Sequence, residues 1–140
     1  MRSLFRFFMT VSVFLYRLTR GSFGGKVQDL RVLLLTSTGR KTGKKRTTPL
    51  GYFEHDGGFV VTASNAGFDT HPAWFHNLTG NPQAMIEIQD YVMQVTAEIV
   101  GPEARGQLWS RLIELAPGYA NYARKTRREI PLVFLRPDMG

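Results

Sequence analysis

The sequence predicts an α+β protein that is mainly β, with about six mostly antiparallel strands arranged as a barrel or a strongly bent sheet. Short apolar segments recur along the chain and are separated by tight turns, which is typical of strands joined by hairpins. The helical patterns are short and inserted between these segments, which argues against βαβ winding. At 140 residues, with 43% hydrophobic and 21% charged residues, the chain has the size and composition of one folded domain.

Residues 1–20 have the pattern of a basic amphipathic helix. The uncharged run at 7–16 is too short for a membrane span, which needs about 20 residues. Such a helix lies on an anionic membrane surface or docks on the protein's own core, and we expect at least partial membrane contact. On a helical projection one side carries Arg2, Arg6, Arg17 and Arg20, and the other carries Leu4, Phe8, Val11, Leu15 and Leu18.

The glycine-rich residues 21–25 predict a flexible joint after this helix. We therefore expect two parts, residues 1–25 with the helix and joint, and residues 26–140 with the barrel. The expected location is cytoplasmic, with possible attachment to the inner face of the cell membrane.

Residues 33–50, LLLTSTGRKTGKKRTTPL, predict two strands joined by a basic turn. Arginine grips an oxyanion through two hydrogen bonds and lysine adds a point charge, so the turn suits a ligand with several negative charges. A charge run at a hairpin tip is also typical of a solvated loop, and this alternative stays open. Five of the seven residues from 40 to 46 are cationic, namely Arg40, Lys41, Lys44, Lys45 and Arg46.

A loop of mostly small residues, 65–71, leads into a short helix predicted at about 72–80. Asp69 or Thr70 is suited to cap this helix, and Pro72 is suited to its first turn. Backbone N–H groups at such a helix entry point outward and suit a phosphate or the polar edge of a ring. The alternative is a plain connection between a strand and a helix.

The other elements follow from periodicity and from turn residues. The proline in the last strand indicates an edge or a strand-start position. The predicted elements are a third strand at 59–64, a hairpin at 84–89 and 91–100 that turns near Asp90, helices at 103–115 and 119–127, and a final strand at 130–135.

Composition and spacing exclude several kinds of chemistry. The chain has no cysteine, which excludes disulfides, thiolate zinc sites and cysteine nucleophiles, and its three histidines lack the spacing of a metal site, so no metal is expected. Gly39 and Gly43 are one residue too close for a phosphate-binding P-loop. Lys and Arg are absent from Thr47 to Ala104, so the net charge of +7 is clustered and predicts localised anionic partners. Nucleic acid is not expected, because its recognition motifs are missing.

Three segments together resemble the deazaflavin-dependent nitroreductase and quinone reductase family, a branch of the split β-barrel flavin-binding proteins. They are LLLTSTGRKTGKKRTTPL, ASNAGFDTHPAWFHNLTGNP and REIPLVFLRP, and the resemblance covers Val32 to Pro137. It implies a split barrel that binds the deazaflavin coenzyme F420. It also implies transfer of a hydride from the reduced coenzyme to a quinone-like or nitro-aromatic acceptor.

The resemblance also implies site residues. The coenzyme carries a phosphate and a tail of glutamates, which Arg40, Lys41 and Arg46 would bind. Tyr119, Tyr122 and Ser64 are the candidate catalytic residues, and either tyrosine would supply a proton or simply pack over the barrel mouth. The ring site maps onto Thr48, Pro49, Leu50, Ser64, Asn65, Ala66 and Gly67, with Trp74 and Asn77 lining or bracing the pocket.

Ala116 departs from the resemblance, because an aromatic residue is expected there in members that reduce nitro compounds. A quinone is therefore the favoured acceptor. Three other functions remain open. They are a binding protein for a flavin, deazaflavin or fatty acid without turnover, a reductase or oxidase that uses FMN on the same barrel, and an adaptor for anionic surfaces.

Overall fold

Antiparallel strands dominate the structure, a computed structural model that describes Val13, Phe14, Tyr16, Arg17, residues 26–27 and residues 30–138. The strands are β1 (Lys26–Val27), β2 (Leu30–Thr38), β3 (Lys45–His55), β4 (Gly58–Thr62), β5 (Gln83–Ile88), β6 (Tyr91–Ile99) and β7 (Leu132–Pro137). The described helices are α1 (Ala73–Gly80), α2 (Pro102–Leu115) and α3 (Tyr119–Lys125), with a 3-10 turn at Asn65–Gly67.

Six of the strands close into a barrel. Their order is β2, β3, β4, β7, β6 and β5, all neighbours are antiparallel, and β5 pairs back with β2 through Leu35 and Ile86. The short β1 adds to the edge of β2 beyond β5. A mainly β barrel of about six antiparallel strands with short inserted helices is therefore confirmed.

The first long strand is buried on both faces. Leu33 and Leu35 point into the barrel core, whereas Val32 and Leu34 point outward and are covered by Val13 and Tyr16. This double burial explains why β2 reads as a continuous apolar run instead of alternating. Val13, Phe14, Tyr16 and Arg17 have helical backbone conformation. The rest of the predicted helix at 1–20, and the joint at 21–25, lie outside the described residues.

The barrel splits along β3. This strand pairs with β2 from Arg31 opposite Tyr52 to Thr38 opposite Lys45, but with β4 only over 52–55. The first half of β3 therefore leaves one backbone edge without a strand partner among the described residues. A cleft is built against this edge.

The helices α2 and α3 cover the outside of the barrel next to that split. Their residues Leu112 and Tyr119 pack with Phe53, Val60 and Leu132 in a second apolar cluster. Alternate residues of β3, β4 and β7 thus face two different cores, as the period of two in a strand requires. No described helix has the length and apolar character needed to cross a bilayer.

Two local predictions are corrected. Neither Asp69 nor Thr70 caps α1, which begins at Ala73 with Pro72 at the cap position. The physical reason is that Asp69 accepts a hydrogen bond from Thr126. Pro131 lies directly before β7, so of its two predicted positions the strand start is confirmed, whereas the edge is wrong because β7 pairs with strands on both sides.

Gly58 is expected to tolerate no side chain. A Cβ atom there would lie 2.6 Å from the carbonyl oxygen of Leu135 and 2.5 Å from the ring of Phe134. The carbonyl belongs to a paired strand and cannot move away, so Gly58→Ala should lower the free energy of unfolding by about 1–3 kcal/mol.

The matched control is Gly106→Ala, because Gly106 lies inside α2 with open space around its Cα. This change should stabilise the protein by about 0.5–1 kcal/mol. Urea denaturation of both variants measures the two effects. Equal stability of the two variants would contradict the close approach of β4 to β7 at Gly58.

Candidate functional site

A cleft of about 370 Å³ lies between the unpaired edge of β3 and the loop that follows β4. One wall is residues 48–51 of β3, and the opposite wall is the loop at 64–66. The end of the loop that enters α1 and the start of α3 complete the lining. The full lining is Thr48, Pro49, Leu50, Gly51, Thr62, Ser64, Asn65, Ala66, His71, Pro72, Ala73, Trp74, Tyr119 and Tyr122.

Three residues of the loop wall have unusual backbone conformations. Asn65, Ala66 and Gly67 have φ values of 46°, 53° and 81°. Position 67 requires glycine for two reasons. Its φ angle is positive, and a Cβ atom there would lie 3.1 Å from the main-chain oxygen of Tyr122 and from the side chain of Lys125. Gly67 is buried under α3 and does not line the cleft itself. Its role is to let α3 sit directly on the loop.

The loop also presents backbone donors. The N–H groups of Gly67 and Phe68 donate within the loop, to Ser64 and Asn65. Within the described ranges we find no protein acceptor for the N–H groups of residues 64–66. Consecutive N–H groups in a right-handed then left-handed turn suit an anionic or carbonyl oxygen. The arrangement therefore fits the polar edge of a bound ring.

The two predicted tyrosines meet over the cleft. The rings of Tyr119 and Tyr122 pack edge to face with centroids 5.5 Å apart. Burial raises the pKa of Tyr119 to about 12, and the neighbouring Tyr122 contributes to the rise. Tyr119 is therefore a weaker acid than an ordinary tyrosine, which favours hydrogen-bond donation over proton release. Its hydroxyl oxygen lies against Gly51, 3.1 Å from where a Cβ atom of that residue would be.

The basic turn lies at one end of the cleft. Arg46 is two positions before Thr48 on β3 and so projects from the same strand face. The five cations of the turn are exposed, and none forms an ion pair with a carboxylate of the described residues. The side chain of Lys45 instead donates to Thr38 at 2.9 Å. The positive charge of this turn is thus available to a ligand.

Asn77 braces the turn and does not line the cleft. Its buried side chain donates to the hydroxyl of Ser37 at 3.3 Å and accepts from the backbone N–H of Arg40 at 3.1 Å. α1 is thereby attached to the end of β2, where the basic turn begins. Trp74 is buried in the barrel core and also lines the cleft.

The sequence reasoning missed several parts of the site. Arg128 links the segment before β7 to the loop wall, with hydrogen bonds to the carbonyl oxygens of Ala63, Ser64 and Phe68. His71 lines the cleft and also contacts Arg128. No local signal identifies Arg128, because it lies among other basic residues and its partners are about 60 positions away. Gly51, Thr62, Pro72 and Ala73 also line the cleft without having been predicted as site residues.

Ala116 does not face the cleft. It is fully buried beneath α2 and α3 with Leu112 and Tyr119. The missing aromatic side chain at this position therefore changes the packing under α3 and not the cleft lining directly.

A larger depression, of about 560 Å³, runs along the exposed side of α2 near Glu103 and Arg111. It is open and lined by a single helix, so it does not enclose a ligand. Among the described residues we find no group of three or more His, Asp or Glu side chains that would hold a metal ion. The described residues of the cleft and its rim offer hydrogen-bond donors, aromatic rings and positive charge.

Comparison with known proteins agrees with this geometry. Residues 8–137 match the family model described as F420H(2)-dependent quinone reductase. An F420H(2)-dependent quinone reductase of Mycobacterium tuberculosis is 37% identical over 125 residues, which is 86% of this chain and 84% of that protein.

Two solved structures are also similar. One, described as an F420-H2 dependent reductase, has a TM-score of 0.68 and 37% identity and covers 75% of this chain and 93% of its own. Another, described as a domain-swapped dimer, has a TM-score of 0.71 and 36% identity and covers 85% of this chain and 90% of its own. More distant similarities share the fold.

The raised pKa of Tyr119 predicts a loss of stability at high pH. Its folded pKa of about 12 lies above the ordinary value of 10.0, so its contribution is complete below pH 10 and is lost as pH rises towards 12. The loss should be on the order of 2–3 kcal/mol in the free energy of unfolding. Tyr119→Phe should remove this part of the decline. Urea denaturation between pH 9 and about 12 tests it, and equal slopes for both proteins would contradict the assignment.

Proposed function

The chain belongs to the F420H(2)-dependent quinone reductase family, and we propose that it passes a hydride from reduced coenzyme F420 to a quinone-like acceptor in the cleft. The observation that carries this proposal is the continuity between a cleft with backbone donors and a turn whose five cations form no ion pair with any described carboxylate. The coenzyme has a polar ring edge, a phosphate and a glutamate tail, which match these two features in kind.

The proposed binding residues follow from that match. Arg40, Lys41 and Arg46 bind the phosphate and the acidic tail, with Lys44 and Lys45 adding electrostatic attraction. The ring is held against Thr48, Pro49 and Leu50 on one side and the loop at 64–66 on the other, with Gly67 behind the loop. Trp74 closes the inner end of the cleft, and Asn77 fixes the turn through Arg40.

When bound, the coenzyme supplies the hydride. This hydride and a proton, both of which the reduced coenzyme would supply, would convert the quinone into a hydroquinone. The protein's part is to align the two reactants, to exclude water and to provide hydrogen bonds where negative charge forms. Tyr119 and Tyr122 shield the cleft, and Ser64 supplies a hydroxyl and an N–H group beside the loop wall.

A quinone-like acceptor is favoured over a nitro-aromatic one, because the matching family model and the relative from Mycobacterium tuberculosis are both described as quinone reductases. Nitro-reduction stays a second candidate, because Ala116 lies outside the cleft and so does not by itself exclude a nitro compound. An FMN enzyme would be purified with a bound yellow flavin. A binding protein without turnover would bind the coenzyme but would not reduce the acceptor.

Removing two cations from the turn should weaken coenzyme binding. Arg40→Ala with Lys41→Ala should raise the Kd for oxidised F420 at least tenfold, and the effect should shrink at high salt because the lost attraction is electrostatic. A fluorescence titration of oxidised F420 measures the Kd. Addition of menadione to the protein with reduced F420 then tests acceptor reduction.

The control is Arg111→Ala with Arg136→Ala, which removes the same charge from exposed positions that pair with Glu114 and Glu98. Its Kd should stay near the wild-type value. An unchanged Kd in the turn variant would overturn the assignment of the basic turn. Absence of saturable binding by the wild type would overturn the proposed function.

We also propose that the N-terminal segment touches an anionic membrane surface and holds the enzyme near lipid-soluble quinones at the inner face of the membrane. Val13 and Tyr16 pack on β2, and the Tyr16 hydroxyl donates to the Val32 carbonyl at 2.8 Å. Arg17 pairs with Glu87 at 2.7 Å. Val13, Tyr16 and Arg17 therefore contact the barrel, whereas Phe14 is exposed and would contact the lipid.

Phe14 offers a test on a described residue, since 62% of its surface is exposed. Phe14→Asp should lower binding to vesicles of anionic phospholipid by at least fivefold with little change in stability. Ile99→Asp is the control, because Ile99 is similarly exposed at 57% but lies at the end of β6. Vesicle sedimentation measures binding, and equal binding of both variants would contradict the membrane proposal.

A further inference from the structure

Arg128 holds the loop that forms one wall of the cleft through several hydrogen bonds. Its guanidinium donates to the carbonyl oxygens of Ser64, Phe68 and Ala63 at 2.8, 2.9 and 3.1 Å. The same group contacts Nδ1 of His71 at 3.0 Å. Arg128 thereby ties the segment that enters β7 to Ala63 and Ser64 after β4 and to Phe68 after the 3-10 turn.

The contact with His71 fixes the protonation of the imidazole. A guanidinium has only donors, so Nδ1 of His71 must accept and cannot carry a proton. The ring is then neutral with its hydrogen on Nε2. Burial, the charge of Arg128 and the neighbouring His76 all lower the pKa of His71, in agreement with this geometry. Asp69 is the nearby acid, and it acts on Arg128 and accepts from Thr126.

The position of the ring is also fixed. The imidazole packs against the ring of Phe75 at a tilt of 54° with centroids 4.8 Å apart, and the centroid of the His76 ring lies 5.8 Å away. His71 lines the cleft, and within the described part of the chain Nε2 has no hydrogen-bond partner. One nitrogen is therefore held by Arg128, and the other is a donor at the cleft wall.

We propose that His71 is a fixed hydrogen-bond donor whose Nε2–H binds a carbonyl oxygen with negative charge in the cleft, and that Arg128 is its positioning residue. The inference rests on the proposed function. The oxygen belongs either to the ring of the coenzyme or to the acceptor. With Nδ1 blocked, His71 donates a hydrogen bond but does not release its proton, since release would leave an imidazolate anion. It stabilises charge on the oxygen and is not the proton source.

The first test needs no ligand. Protein labelled with ¹⁵N-histidine gives, by long-range ¹H–¹⁵N correlation, the tautomer of each imidazole. We expect His71 to be neutral with the proton on Nε2 from pH 7 to 8, and we expect Arg128→Lys to lose this fixed state. A proton on Nδ1 of wild-type His71 in this range would overturn the inference.

The second test shows whether the coenzyme or the acceptor provides the oxygen that His71 binds. His71→Phe removes the hydrogen-bond donor, and His71→Gln retains one. His76→Phe is the control, because it removes the neighbouring imidazole and leaves His71 in place. If the coenzyme provides the oxygen, His71→Phe raises the Kd for oxidised F420 at least tenfold. If the acceptor provides it, the Kd is unchanged and single-turnover reduction of menadione slows at least tenfold. His71→Gln should recover most of either loss.

Melting temperatures of all variants show whether a loss is only structural. A His71→Phe variant that folds and keeps both the Kd and the single-turnover rate would overturn the inference. If wild-type protein binds no F420, the proposed function and the ligand of His71 are both overturned, whereas the tautomer measurement still reports on Arg128.

Discussion

The incomplete pairing of β3 is the constraint on which the site depends. This strand pairs with β2 over 45–52 and with β4 over 52–55, so over 45–51 its second edge has no strand partner among the described residues. A closed barrel of this size fills its interior with side chains and has no room for a ligand. Because β4 ends early and the chain turns away at Ser64, a cleft opens at the barrel wall while the core stays packed. Binding and stability are thereby assigned to different parts of one sheet.

Tertiary contacts keep this opening in shape. The loop wall has strained residues at Asn65 and Ala66, which are costly without support. Arg128 on one side and α3 above Gly67 supply that support. At the other end, Asn77 attaches α1 to the basic turn. The cleft is therefore bounded by elements from four separate parts of the chain, each held by a specific contact.

The sequence predicted the local parts of this arrangement well. The hairpin around the basic turn, the barrel and the helices follow from periodicity and turn residues, and the loop with Ser64, Asn65 and Ala66 does line the cleft. Side-chain contacts across long separations could not be predicted. The carboxylate of Asp69 suggests a helix cap but is taken by Thr126, and Arg128 looks like one more surface cation. The apolar pattern of residues 1–20 likewise did not identify Val13 and Tyr16 as the residues that pack on β2.

The protonation of the cleft indicates how the protein contributes to catalysis. None of the described Asp and Glu residues lines the cleft, the proton of Tyr119 is held tightly, and His71 is blocked at one nitrogen by Arg128. None of these groups is well suited to release a proton near neutral pH. Tyr119 and His71 are each suited to donate a hydrogen bond in a fixed direction. Such a bond stabilises the negative charge that forms during hydride transfer. The site therefore acts by orientation and electrostatics, which is what a cofactor with its own redox chemistry requires from its protein.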